Sequence, residues 1–153
     1  MKRIVKFLMV VATMVAVGSC VAPENNNASE YLDVTPNNIK GVWQMVSFDN
    51  GELFAEGSYY YIVFDRAERT FVTYENTGSM GQVSQTGHYY IEVKGAAVIY
   101  GDSDNGLLTP NDWNHRFYVR DLTTTRMVWV AVDNEEVVQV YERAELPEWI
   151  EKK

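Results

Sequence analysis

Between residues 41 and 143 the sequence is a succession of short β-rich runs separated by brief turns. Tyr, Val, Phe, Ile and Trp dominate these runs, and these residue types suit half-buried strands. The predicted strands are residues 41–48, 59–65, 70–75, 86–93, 97–101, 115–122, 126–132 and 136–143. Several connections are too short for a helical crossover, so neighbouring strands are expected to pair antiparallel. The pattern predicts an all-β meander.

Eight consecutive strands with one apolar face each can close into a barrel or pack as a sandwich. The succession of hairpins favours an eight-stranded antiparallel up-and-down barrel, because closure leaves no unpaired edge strand. The predicted barrel domain covers residues 35–153 and ends in a short carboxy-terminal tail. One domain of this length can bury a single core.

The amino terminus has the pattern of an export signal. The basic residues Lys2, Arg3 and Lys6 precede an apolar run from Phe7 to Val17, and small residues follow. This run is shorter than the roughly 20 apolar residues that a membrane-spanning helix needs. Residues 1–19 are therefore predicted to be a signal peptide.

The signal ends at the only cysteine of the chain. The quartet Val17-Gly18-Ser19-Cys20 resembles the lipobox of bacterial lipoproteins, in which an aliphatic residue and two small residues precede the cysteine. The resemblance implies that Cys20 receives a diacylglyceryl group, becomes the first residue of the mature chain and is acylated at its amino group. Several acyl chains on one residue anchor a protein stably to a membrane. A disulfide framework is excluded, since no second cysteine exists.

A polar segment follows the cysteine. Residues 20–34 contain a proline and three consecutive asparagines without periodicity, which predicts a flexible tether. Val21 stands where many inner-membrane lipoproteins carry Asp, so the resemblance implies an outer-membrane location in the cell envelope. The periplasmic and the surface leaflet both stay open.

The charge of the exported part excludes one class of partner. The whole chain has 13 basic and 21 acidic residues, and the signal holds three of the basic ones, so 10 against 21 leaves a net charge of −11. Such an acidic domain is a poor binder of nucleic acid and is repelled by anionic lipid surfaces. Its contact with the membrane is expected to come from the lipid anchor.

The start of the first strand carries a second resemblance. Gly41-Val42-Trp43 follows a short polar lead-in at residues 35–39, and the last strand ends in Arg143. This combination resembles the G-x-W signature of lipocalins and covers residues 35–143, most closely the small lipocalin-like domains of bacterial lipoproteins. It implies a short helical turn in the lead-in and a closed barrel end where Arg143 packs across Trp43. The long carboxy-terminal helix of lipocalins is replaced here by residues 145–150.

Residues suited to metal binding lack the necessary spacing. His88 and His115 are the only histidines, and neither has a neighbour at ligand spacing. Residues 102–106 begin like a calcium loop, but glycine falls at the fifth position and Trp113 at the twelfth, where the pattern needs glycine at six and glutamate at twelve. The sequence predicts no metal site and no cofactor.

Catalytic motifs are missing as well. Residues 78–81 lack the spacing of a nucleophile elbow, and phosphate-binding glycine patterns do not occur. Glu75 and Glu92 could form a carboxylate pair, but charged strand residues usually face solvent. We therefore predict that the protein is not an enzyme.

The aromatic residues of the strands suggest a binding site. With Trp43 facing inward, alternation places several apolar side chains inside the barrel, where they can fill the core or line a pocket for one small molecule. The predicted ligand-lining residues are Met45, Tyr60, Tyr89, Phe117 and Trp129. The loops at residues 49–58, 76–86 and 102–114 are expected to surround the open mouth, away from Trp43.

Two functions remain open at this point. The first is a membrane-tethered envelope lipoprotein that binds a small hydrophobic molecule at the barrel mouth. The alternative is a structural or interaction lipoprotein, with a filled core and no small-molecule ligand, that binds an envelope protein partner through its loops or outward tyrosines. Neither function needs a cofactor.

Replacing Cys20 with Ala tests whether the protein is held at the membrane by a lipid on this residue. The variant is expected to leave the membrane fraction and to keep its signal peptide, because the thiol that accepts the lipid is lost. Cell fractionation and the mass of the purified chain measure both effects. Unchanged processing together with retention in the membrane fraction would contradict the lipoprotein prediction.

Overall fold

The computed structural model describes residues 30–48, 51–52, 54–76, 81–103 and 116–150. It confirms an all-β closed barrel in which each strand pairs antiparallel with its sequence neighbour and β8 pairs with β1. The elements are α1 (Pro36–Ile39), β1 (Gly41–Ser47), β2 (Tyr59–Phe64), β3 (Thr70–Asn76), β4 (Val83–Lys94), β5 (Ala96–Ser103), β6 (Phe117–Arg120), β7 (Arg126–Ala131) and β8 (Val138–Arg143). The predicted signal peptide, Cys20 and His115 lie outside the described residues.

The helical turn expected before the first strand is α1. Thr35 caps it by accepting a hydrogen bond from the backbone amide of Asn38 at 3.3 Å, and Pro36 occupies its first turn. The packed chain begins slightly earlier, since the amide of Leu32 donates to the carbonyl of Leu122 at 2.7 Å and Val34 packs against the core. The lead-in thus fixes one end of the barrel.

The observed strand bounds differ from the predicted ones by one to three residues, and most of all in β4 and β6. β4 begins at Val83 rather than at residue 86, so residues 83–86 of the predicted loop 76–86 are strand. Its first residues are polar and resemble a loop in sequence, yet they pair with β3 from Val83 opposite Glu75 onward. The sixth strand is shorter than predicted and covers only Phe117–Arg120.

Alternation along the strands separates a core face from an outer face. Inward positions form one buried apolar cluster through the barrel. Its largest fully buried side chains include Trp43, Trp129, Tyr89, Tyr141 and Phe71. The barrel interior is therefore largely an aromatic core.

The closed end is built around Trp43. The guanidinium carbon of Arg143 lies 3.8 Å from the centroid of the Trp43 ring, and the indole N–H donates to the carbonyl of Ile39 at 2.8 Å. Arg143 also donates to the backbone carbonyls of Thr124 at 3.3 Å, Asn38 at 2.9 Å and Lys40. The predicted contact between first and last strand is present, and it ties α1, β1, β8 and the β6–β7 turn together.

The glycine of the G-x-W sequence has a steric role at this end. Gly41 has a φ of +92°, and a Cβ built there would lie 3.3 Å from an Nη atom of Arg143. Only glycine adopts this backbone conformation without strain, and a Cβ at this position would crowd the guanidinium. Gly41 thus favours the contact between Arg143 and Trp43.

The carboxy-terminal segment covers part of the outer barrel surface. Ile150 is buried against Tyr61 and Tyr74, and Leu146 packs beside them. The ring of Trp149 meets Tyr59 edge-on, with ring centroids 5.0 Å apart. The predicted short tail is therefore a packed strap over β2 and β3.

Replacing Arg143 with Met tests the closed end, because Met keeps much of the apolar volume but loses the charge and the donors. We expect the free energy of unfolding to fall by about 2–3 kcal/mol, since the backbone carbonyls and the indole lose their cationic partner. Urea unfolding followed by circular dichroism measures this loss.

Arg126, an exposed residue at the same barrel end, provides the matched control. Its replacement with Met should change the free energy of unfolding by less than about 0.5 kcal/mol. Equal losses in the two variants would show that the Arg143 contact does not hold the closed end.

Candidate functional site

The strand order gives the barrel two different ends. The turns at residues 65–69, 95 and 121–125 lie at the closed end with Trp43, whereas the connections after β1, β3, β5 and β7 leave at the other end. We call this other end the mouth, formed by the last residues of β3 and β5 and the first residues of β4, β6 and β8. The described connection at the closed end between β4 and β5 is a single residue, Gly95.

The predicted ligand-lining residues all face the interior and belong to one cluster. Met45, Tyr60, Tyr89, Phe117 and Trp129 are each at most 4% exposed. Their inward orientation agrees with the one expected from strand alternation when Trp43 faces inward. Whether they touch a ligand remains a prediction, because what the structure shows is that they pack on one another.

The rings inside the barrel form a continuous aromatic core. Trp129 lies at its centre, with ring centroids 4.7 Å from Tyr141, 5.3 Å from Phe117 and 6.3 Å from Phe64. Tyr60 meets Tyr141 edge-on at 6.4 Å. Such tilted and edge-on pairs stabilise a core beyond the burial of area alone.

A polar layer lies inside the barrel toward the mouth. Its members share the inward face of their strands but carry hydroxyl, amide or carboxylate groups. They are Thr73, Glu75, Gln85, Ser103 and Gln139. Thr73, Glu75 and Gln85 are buried, at 2%, 6% and 5% exposure. The interior therefore changes from aromatic near the middle to polar near the mouth.

The polar layer meets the aromatic core at Tyr141. The Tyr141 hydroxyl donates to Oε1 of Gln139 at 2.9 Å. Burial raises the pKa of this hydroxyl well above its usual range, and electrostatic interaction with Tyr60 and Glu75 raises it further. Polar ends from β2, β3 and β8 thus face one another inside the barrel.

Two further hydroxyl groups are buried inside the barrel. In the described part of the chain, the hydroxyl oxygens of Tyr89 and Ser103 are buried and make no hydrogen bond. Burial raises the pKa of the Tyr89 hydroxyl. A buried polar group without a partner costs free energy, and such groups often mark a water or ligand position.

The expectation that Glu75 faces solvent is wrong. Glu75 lies inside the barrel opposite Tyr60, whereas Glu92 lies on the outer surface. There Glu92 accepts hydrogen bonds from Arg116 at 2.6 Å and from Tyr100 at 3.0 Å, which hold the pKa of its carboxyl below its usual range. Because the sheet separates the two carboxylates, they cannot act as a catalytic pair.

The outer surface of β4 and β5 carries an aromatic patch. Tyr90 and Tyr100 stack with centroids 5.2 Å apart, and the guanidinium of Arg116 lies 4.6 Å over Tyr100. Tyr90 is 45% exposed. This outer tyrosine patch, defined by Tyr90, Tyr100 and Arg116, lies on the opposite side of the sheet from the aromatic core.

The described residues contain neither a metal-binding cluster nor a membrane-spanning helix. Within those ranges, histidine, cysteine and carboxylate side chains form no group of three that could hold a metal ion. Likewise, no helix in the described part of the chain has the length and apolar character that a membrane crossing requires.

Sequence reasoning did not identify the polar layer. Ser84, Gln85 and Thr86 follow one another, and an uninterrupted polar run indicates a loop rather than a strand. A usable signal existed in the third strand, since an inward Phe71 implies that Thr73 and Glu75 are inward as well.

The environment of Tyr141 predicts a pH dependence of stability. Its folded-state pKa is raised, so its contribution is complete below the unfolded value near 10 and is lost as the pH rises above it, because only the unfolded chain then releases the proton. Between pH 9 and 11, Tyr141→Phe should therefore flatten the fall in the free energy of unfolding. Tyr90→Phe, on the outer patch, is the control. Identical slopes in wild type and Tyr141→Phe would contradict the buried assignment.

Comparison with known proteins agrees with this architecture. Residues 39–129 match the family model of the lipocalin-like domain, a stretch that runs from the end of α1 into β7. No curated protein and no solved structure matches the chain. The matched residues make up more than half of the 153-residue sequence, and the closed eight-stranded meander is the fold that the family name implies. The chain belongs to the lipocalin-like domain family.

Proposed function

We propose that this protein is a lipid-anchored lipoprotein of the bacterial cell envelope whose barrel binds a small hydrophobic molecule at its mouth. The role is one of binding rather than catalysis. Anchoring through Cys20, location in the outer membrane and the ligand all form part of this proposal.

The side chains inside the barrel change from aromatic near the middle to polar near the mouth, and this change supports the binding function. A protein interior that serves only as a core gains nothing from inward Thr73, Glu75 and Gln85 side chains, because each polar group must recover the hydrogen bonds it loses on burial. Ligand sites combine an apolar surface with a few convergent polar groups. The aromatic core below the polar layer supplies this combination.

Two sequence features support the lipid anchor. A signal that ends in Val17-Gly18-Ser19-Cys20 supports lipidation, and the acidic barrel has no attraction of its own to an anionic surface. A binding domain held by acyl chains would act on molecules close to the membrane.

A second function is favoured by the outer tyrosine patch. Stacked Tyr90 and Tyr100 with Arg116 present the residue types that are enriched at protein interfaces. An interaction lipoprotein with a filled core would use this surface or the loops and would need no small molecule.

The test that separates the two functions is native mass spectrometry of the protein purified from its own host. We expect a retained small molecule in wild type and a loss of retention, by about tenfold, in Phe117→Leu, which trims the inward aromatic ring at the first residue of β6. Trp129 is less useful, because it is fully buried and its truncation to Ala would cost about 3–5 kcal/mol of stability.

Tyr118→Leu is the matched control. Tyr118 follows Phe117 on the same strand and points outward, where its ring contacts Arg120. Retention should be unchanged in this variant. A wild-type protein that carries no small molecule, or equal retention in both variants, would favour the interaction lipoprotein.

A further inference from the structure

We propose that Lys40 and Arg66 form a phosphate-binding site at the closed end of the barrel. The site lies at the opposite end from the mouth, and it does not depend on a ligand inside the barrel. Its ligand is the phosphate group of a soluble phosphate ester or of a lipid headgroup.

Strand pairing brings the two cations together although they are far apart in the sequence. Gly41 at the start of β1 pairs with Phe64 at the end of β2. Lys40 directly precedes Gly41, and Arg66 lies in the turn that follows β2. Asn37 belongs to α1, which ends just before Lys40. The side chains of Asn37, Lys40 and Arg66 are all exposed at this end of the barrel.

Both cations bind the same neutral oxygen. Nζ of Lys40 donates to Oδ1 of Asn37 at 3.1 Å, and Nη1 of Arg66 donates to that same atom at 2.8 Å. The two nitrogens are therefore no more than about 6 Å apart, a distance at which like charges repel each other. The amide oxygen offsets only part of this repulsion, because an amide carries no net charge. An anion between the two nitrogens would replace the repulsion with two attractions.

The carboxylates closest in the sequence do not neutralise this pair. They belong to Asp33, Asp65 and Glu68. Within the described ranges, no carboxylate oxygen lies within 4.0 Å of a charged nitrogen of Lys40 or Arg66. Oδ1 of Asp65 instead accepts hydrogen bonds from the backbone amides of the same turn, at 2.7 and 2.8 Å. The positive charge of the pair is therefore available to a ligand.

A third cation adds to the positive charge at this place. Arg143 donates to the backbone carbonyl of Lys40 and to that of Asn38 at 2.9 Å, and its guanidinium covers Trp43. These partners carry no net charge. Three cations thus meet around α1 and its C-cap in a chain whose net charge is −8. This local excess of positive charge favours an anionic ligand.

Phosphate suits both the geometry and the charge of the pair. A phosphate oxygen can take the place of Oδ1 of Asn37 between the two nitrogens, and hydrogen bonds between charged groups are roughly twice as strong as neutral ones. The guanidinium of Arg66 can bind two phosphate oxygens at once, whereas the ammonium of Lys40 acts as a point charge. The packed chain also begins at this end, where Leu32 is bonded to Leu122, so the tether joins the barrel beside the site. Lipid headgroups are therefore one source of the phosphate, and soluble esters are the other.

Two phosphate probes test the site. They are glycerol 3-phosphate, a soluble phosphomonoester, and dihexanoyl phosphatidylglycerol, a short-chain lipid whose phosphate is a diester. Two-dimensional 1H–15N NMR of the purified full chain follows the side-chain amide of Asn37 during each titration. We expect a saturable shift with a dissociation constant on the order of 1 mM, because the site is exposed and the domain is acidic. Raising the salt to about 0.5 M should weaken this binding.

The variants Lys40→Gln and Arg66→Gln locate the effect. Each should weaken the binding of the phosphate probe by at least about fivefold, because one of the two charged donors is lost. Lys94→Gln is the matched control, since Lys94 is an exposed cation at the same end of the barrel, in the β4–β5 hairpin. It should keep the wild-type affinity. The same spectra show whether each variant is folded.

The outcomes also identify the source of the phosphate. Binding of the lipid probe supports a lipid headgroup, and binding of glycerol 3-phosphate alone supports a soluble phosphate ester. Absence of a saturable shift with either probe, or an unchanged affinity in Arg66→Gln, would overturn the inference. Equal weakening in Lys94→Gln would overturn it as well, because it would indicate diffuse attraction rather than a site.

Discussion

The pairing of β1 with β8 is the contact on which the other features depend, because it turns a meander into a closed surface. Closure satisfies the backbone groups of two strands that would otherwise be edges. Arg143 secures this pairing, since it covers Trp43 and donates to carbonyls of α1, its C-cap and the β6–β7 turn. The aromatic core and the polar layer both lie in the interior that this closure creates.

The inward-facing residues of the barrel are of two kinds, aromatic residues in the middle and polar residues toward the mouth. Around Trp129, tilted ring pairs fill space and hold the walls together. Toward the mouth, Thr73, Glu75 and Gln85 occupy positions where apolar side chains would give a more stable barrel. Proteins commonly place such unfavourable groups where they bind or react, and stability is recovered in the rest of the fold.

Most of the fold was predictable because its signals are local. Aromatic and β-branched residues mark β2 and β7, and Gly41 and Trp43 mark the closed end together with Arg143. The inward direction of the predicted ligand-lining residues followed from one register choice at Trp43. Sequence reasoning missed the start of β4, which depends on pairing with β3 and not on local pattern. It also missed the burial of Glu75, which the alternation along β3 from Phe71 indicates.

The entry point of the chain has a geometric consequence. Leu32 is hydrogen-bonded to Leu122, so the polypeptide enters the barrel at the end that Trp43 and Arg143 close. If the chain is anchored through Cys20 as proposed, the tether joins the barrel at its closed base, on the side opposite the mouth. The anchor and the tether would then leave the mouth unobstructed, whatever orientation the tether allows the barrel to take.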